Sequence, residues 1–77
     1  MDLRVRVGLN VQELRRAKRW SQEELCARAT MHQTYLSGIE TGVRNPSLLV
    51  LGRLSKALGV DVEDLVRRRP GGRSRTS

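Results

Sequence analysis

The chain has one cysteine, one histidine, two prolines, no phenylalanine and only 3% aromatic residues among its 77 positions. A single thiol cannot close an internal disulfide, and one Cys with one His cannot supply the three or four ligands of a zinc site. Disulfide-held and zinc-held folds are excluded, and no cofactor is implied. No apolar run is longer than the four residues Leu48 to Leu51, against the roughly 18 that a membrane-spanning helix needs. The start of the chain carries no apolar block of the signal-peptide kind. The expectation is a soluble, cytoplasmic protein with no membrane partner. No Ser, His and Asp arrangement and no paired carboxylates stand on an identifiable cleft, so an enzyme is not expected, and no small-molecule ligand is evident. The length allows one small domain, and a domain of roughly 60 ordered residues hides only about 60% of its unfolded surface. A partner subunit would stabilise it.

What is present in excess is arginine. The formal charge is +7, and it is unevenly placed. Residues 1–8 and residues 9–66 contribute +1 each, whereas Arg67 to Ser77 contribute +5 through Arg67, Arg68, Arg69, Arg73 and Arg75. That last stretch also holds Pro70, Gly71, Gly72, Ser74 and Ser77 and no apolar residue. It cannot offset its ordering entropy by burial, so it is expected to be disordered when free. An arginine excess points to a polyanionic partner, because each cation set on a phosphate releases condensed counterions. A purely solubilising tail is the other reading.

Apolar spacing is helical almost throughout and predicts five short helices. Val7, Val11 and Leu14 predict a first helix over about residues 9–18, after an N-terminal arm of residues 1–8. Ser21 and Glu24 have the spacing of a reciprocal capping box, opening a second helix that runs to Arg28 or Ala29. Leu36 and Ile39 lie one turn apart on a third helix ended by Gly42, a residue free to take the left-handed conformation. Pro46 and Ser47 open a fourth helix carrying Leu51, Leu54 and Leu58 and closed by Gly59. Gly52, inside it, marks either a close backbone contact or a tolerated surface glycine. Asp61 caps a fifth helix with Val62, Leu65 and Val66. The fold class is all-α, with one domain over residues 9–67 and a basic tail over residues 68–77.

Two short helices with a turn of about three residues, the second opening on small polar side chains, suit the DNA major groove. The second can reach base edges while the first rests across the backbone. Residues Ser21 to Gly42 meet that specification. SQEEL, TYLSGIETG, RNPSL and LSKALGV, in that order and spacing, resemble the phage-repressor-like, Xre-type helix-turn-helix proteins of bacteria and phages. The resemblance covers about residues 8–66, and Thr34 to Arg44 is similar in particular to the controller proteins of restriction-modification systems.

The resemblance implies a compact five-helix, lambda-repressor-like DNA-binding domain and a set of contacts. Gln22 would fasten to a phosphate or base, or serve only as a first-turn helix residue. Gln33 would sit at a principal base-reading position, its amide able to pair bidentately with adenine. Thr34 and Ser37 fall at the next contact positions. His32 would cap the third helix, near a phosphate or simply solvated, and Tyr35 would touch a phosphate or pack half-buried. Arg44 and Asn45 would stand in a loop that grips the backbone or enters the groove. Arg15 and Glu40 match a pair that joins the first and third helices, buried or exposed. Cys26 stands where the family usually has Ala, so the resemblance places it in the core, facing the next helix. Two further residues depart from the family pattern. Thr30 replaces the glycine usual in the turn, which implies another turn geometry and a slightly shifted third helix. Gly38 stands where relatives often carry a long base-reading side chain, so readout there is expected to be absent or backbone-mediated, with specificity leaning on Gln33, Thr34, Arg44 and DNA shape.

The expectation is a sequence-specific regulator of transcription that binds double-stranded DNA on the nucleoid as a homodimer. Its dimer contact is expected among Leu48, Leu58, Val60, Val62, Leu65 and Val66. The rival reading is an antitoxin or other protein-binding module on the same fold. If the tail arginines meet phosphates, deleting residues 70–77 removes Arg73 and Arg75 and flattens log K against log salt by up to about 2 per subunit. A slope unchanged in a salt titration would leave the tail a spectator.

Overall fold

The computed structural model describes residues 2–69, which form five helices. These are α1 (Leu3–Ala17), α2 (Gln22–Ala29), α3 (Gln33–Glu40), α4 (Leu48–Leu58) and α5 (Val62–Val66). Local chemistry sets most of their ends. Ser21 Oγ accepts from the Glu24 backbone N–H at 3.0 Å, and Ser47 Oγ accepts from that of Val50 at 3.2 Å. Each hydroxyl satisfies a donor that the first turn leaves without a partner. Gly42 (φ 80°) and Gly59 (φ 72°) stop α3 and α4 in the left-handed region.

Four local expectations are changed or decided. The first helix begins at Leu3, not residue 9, so most of the expected N-terminal arm is helical. Asp2 caps it, accepting from Arg4 N at 2.7 Å, and Val7 is buried on its inner face. Gly8 explains why the helix lies so close to α3: a Cβ there would meet the carbonyl oxygens of Ile39 and Glu40. At Ser21 the reciprocal half of the capping box is absent, because the Glu24 carboxylate turns to Arg28 Nε one helical turn on, at 2.7 Å. Thr30 does not force a different turn. It takes the left-handed conformation itself, at φ 56° and ψ 64°, and Met31 N donates to Cys26 O at 3.1 Å. Gly52 makes no close backbone contact, since a Cβ there meets nothing within 4 Å.

The helices close around Val7, Val11, Leu25, Cys26, Ala29, Leu36, Ile39, Leu51, Leu54, Leu58 and Leu65. α1 packs on α3 and α5, and α2 packs on α3 and α4. Cys26 belongs to this core, and burial pushes its thiol above its ordinary pKa, further raised by Glu40 and Glu23. Leu58 and Leu65 are 1% and 0% exposed, so they are core residues and not a dimer surface. Val60, Val62 and Val66 pack against the same core.

A buried amide joins the two ends of the domain. Asn10, 0% exposed, donates to Leu65 O at 2.9 Å and Arg67 O at 3.0 Å, and its Oδ1 accepts from Arg69 Nη1 at 2.7 Å. Glu13 accepts from Arg67 and Arg69 alongside, at 3.0 and 3.2 Å. The start of the expected free tail, through Arg69, is therefore tied to α1, because the Asn10 amide needs those partners in a dry environment. The rest of that tail, residues 70–77, lies outside the described residues.

A β-branched residue in the left-handed region costs about 1–2 kcal/mol, partly offset on substitution by the greater freedom of glycine in the unfolded chain. Thr30→Gly is therefore expected to raise stability by about 0.5–1 kcal/mol in urea unfolding. A loss of stability would show that the Thr30 side chain contributes more than its backbone strain takes away.

Candidate nucleic-acid interface

Arg15 and Glu40 form a bidentate pair between α1 and α3. Arg15 Nε donates to Glu40 Oε2 at 2.7 Å and Nη2 to Oε1 at 3.0 Å, with the two side chains only 9% and 2% exposed. The carboxylate holds the Arg15 guanidinium above its ordinary pKa against the opposing effect of burial. The third arm, Nη1, donates to Trp20 O at 2.7 Å, fixing the turn between α1 and α2. The Trp20 ring is itself covered by Arg28 and Lys18, whose charged groups lie 4.2 and 5.2 Å from its centroid.

From this pair the hydrogen bonds run outward. Glu40 Oε1 also accepts from Gln22 Nε2 at 3.0 Å, and Gln22 Oε1 faces Gln33 Nε2 at 3.5 Å, a long contact. Gln12 Nε2 donates to the Glu40 backbone carbonyl at 3.1 Å. The half-buried Gln22 thus links the buried ion pair to the exposed start of α3. There Gln22, Gln33, Thr34 and Ser37 line a shallow hollow of about 320 Å³. Helical spacing puts Gln33 and Ser37 one turn apart on that surface.

The remaining predicted residues are distributed around it. Tyr35 is half-buried and packs against the core. His32 occupies the N-cap of α3 without a side-chain capping bond. It lines a separate hollow with Cys26, Ala27, Thr30 and Met31, so the structure does not bring it to the Gln33 cluster. Arg44 and Asn45 are exposed on the α3–α4 loop. Both Val43 N and Arg44 N donate to Gly38 O, at 2.9 and 3.0 Å, so this loop is pinned to the end of α3. The Arg44 guanidinium carbon lies 5.8 Å from the Tyr35 ring centroid. Asn45 makes no side-chain hydrogen bond among the described residues.

A helix-turn-helix family model matches residues 11–65. The chain belongs to the Xre-type helix-turn-helix family of DNA-binding transcription regulators. The helix-turn-helix regulator y4dJ of Sinorhizobium fredii, itself uncharacterized, is 48% identical over 66 residues, 86% of this chain and 86% of that protein. The restriction-modification controller protein C.AhdI from Aeromonas hydrophila superposes with a TM-score of 0.79 at 37% identity, over 80% of this chain and 94% of its own. The controller protein C.Esp1396I, solved as a tetramer in complex with its natural 35-base-pair operator, superposes with a TM-score of 0.75 at 25% identity, over 87% and 99% of the two chains.

Among the described residues of this helix-turn-helix protein no helix is long and apolar enough to cross a membrane. Sequence reading did not find the bond from Gln22 to Glu40, which no local spacing signals. It did not find Asn10 either, a polar residue on the buried face of α1 that only its distant carbonyl partners explain. A polar residue within the apolar stripe of Val7, Val11 and Leu14 was the available clue.

Breaking a buried pair by removing one partner costs about 3–5 kcal/mol, because the remaining charge stays buried without compensation. Glu40→Ala, which strands the Arg15 charge, is expected to destabilise the domain by about that amount in chemical denaturation. A loss near the 0–1 kcal/mol of an exposed pair would mean that water reaches the site.

Proposed function

We propose that this regulator is a sequence-specific reader of double-stranded DNA that works as a homodimer, with α3 lying in the major groove. The observation that carries the reading is the outward hollow of Gln22, Gln33, Thr34 and Ser37 at the paired starts of α2 and α3. No core packing requires a polar run there: Gln33 and Thr34 are exposed, while Leu36 and Ile39 on the opposite side of α3 fill the interior. Amides and hydroxyls are neutral hydrogen-bonding groups that discriminate base edges, the Gln33 amide matching adenine N6 and N7. Arg44 supplies the charge that phosphate or a guanine edge takes up. The operator complex of C.Esp1396I supports the same class of target for this chain.

One reading helix covers only a few base pairs, so two copies on half-sites about 34 Å apart give usable specificity. The exposed apolar residues point to where they meet. Leu48 and Leu49, at 81% and 80% exposure, and Val43, at 71%, stand at the α3–α4 loop and the start of α4. Of the contact residues expected from sequence, Leu48 alone keeps a fully exposed side chain, and Leu49 and Val43 join it. Regulation in this reading follows from occupancy of the site, by activation or by steric competition with polymerase.

The direct test uses a duplex selected by the wild-type protein from a randomised pool. Gln33→Ala is expected to cost about 1–3 kcal/mol on that duplex and little on random-sequence DNA. Equal losses on both would contradict base reading. Replacing Leu48 and Leu49 together by Glu is expected to give a monomer in sedimentation equilibrium and to weaken binding to the two-half-site duplex. An unchanged dimer would move the interface elsewhere.

A further inference from the structure

Gly38 and Arg44 fit together in a way that neither the family resemblance nor the positional reading of the loop explains. A Cβ built on Gly38 would fall on Arg44 Cγ, with Arg44 Nε at 3.3 Å and Cδ at 3.4 Å. The Arg44 side chain therefore runs along α3 through the volume that any side chain at position 38 would fill. Two further contacts hold it there. The Gly38 carbonyl accepts from both Val43 N and Arg44 N, which sets the direction in which the loop leaves the helix. The Tyr35 ring, one turn before Gly38, lies under the guanidinium at 5.8 Å, within the range where an aromatic face attracts a cation.

We propose that Gly38 is a specificity-positioning residue. Its missing side chain opens a channel on α3 through which Arg44 carries its guanidinium from the loop onto the DNA-facing helix, supplying the long basic reader that position 38 itself lacks. Thr34 and Gly38 are one turn apart on α3, so the Arg44 stem adjoins the row begun by Thr34. Readout at this point is thus neither absent nor backbone-mediated, as the sequence suggested, but is made by a side chain from the next loop. The proposal rests on the reading of α3 as the DNA-facing helix.

A methyl group at position 38 cannot be met by a small shift of a flexible side-chain end, because the atom it displaces is Cγ, near the Arg44 backbone, and that backbone is bonded to Gly38 O. Arg44 must leave the channel. The domain should tolerate the change, since Ala is a better helix former than Gly in a helix interior.

The test is a double-mutant cycle of Gly38→Ala and Arg44→Ala. Each variant is titrated on the selected duplex and on random-sequence DNA, and the free proteins are followed by NMR. Gly38→Ala is expected to weaken binding to the selected duplex about five- to a hundredfold, the range of one good base contact. In the Arg44→Ala background it should change binding by no more than about twofold. The ring-current shift that Tyr35 gives the Arg44 side-chain protons should disappear in Gly38→Ala without DNA present, while the thermal midpoint is kept or raised. An equal loss in both backgrounds, or an Arg44 ring-current shift unaltered by Gly38→Ala, would overturn the proposal while leaving α3 as the reading helix. If Gln33→Ala and Arg44→Ala both bind the selected duplex like the wild type, the α3 reading itself fails and the proposal falls with it.

Discussion

The structure depends on one buried ion pair more than on any single apolar contact. α3 has eight residues, too few to hold a helical conformation in water without tertiary support, and Leu36 and Ile39 anchor only its inner side. Nondirectional burial sets its depth but does little to fix its rotation. The bidentate Arg15–Glu40 pair supplies direction, because a planar guanidinium accepts a carboxylate in few orientations. A buried pair of this kind adds little net stability over an apolar replacement. Its role here is orientation: the same Glu40 carboxylate that receives Arg15 also holds Gln22, and Arg15 holds the turn at Trp20. Rotation of α3, placement of α2 and the path of the first turn are coupled through four polar groups.

That coupling explains the layout of the outer face. Moving from the interior outward, the groups change from a buried charge pair, to a half-buried amide at Gln22, to an exposed amide at Gln33. Polarity is graded instead of broken, so the charged groups are paired before the surface is reached. What remains open at the surface is the hydrogen-bonding capacity of Gln33, Thr34 and Ser37. Arg44 adds a charge from outside, set against α3 by a glycine and a tyrosine instead of by an ion pair.

Much of this was legible in the sequence, and what was not has a physical pattern. Ser21, Ser47, Gly42 and Gly59 announced their helix ends because caps and left-handed stops are local chemistry. The Leu51, Leu54 and Leu58 stripe announced the core through its period, and the family resemblance placed Cys26 there. The start of α1 was misplaced because Leu3, Val5 and the arginines around them carry no strong amphipathic signal, and helicity there rests on the Asp2 cap and on the close approach at Gly8. Thr30 was misjudged because tertiary contacts on both sides of the turn overrode a local backbone preference. The tie from Asn10 to Leu65 and Arg67 spans most of the chain, and its only local sign is a polar residue within an apolar stripe, which does not name its distant partners. At the candidate site, the family resemblance grouped Gln33, Thr34 and Ser37. The direction of His32 and the path of Arg44 depend on loop backbone, which residue spacing does not encode.

The measurement closest to the centre of this picture is an NMR titration of the full chain with a duplex that it selects, followed at backbone and side-chain amides. If α3 reads the duplex, the largest perturbations fall on Gln22, Gln33, Thr34, Ser37 and Arg44, with the Gln22 side-chain amide still protected by Glu40. Perturbations centred instead on α5 and the exposed side of α4, with the Gln33 amide unmoved, would contradict it.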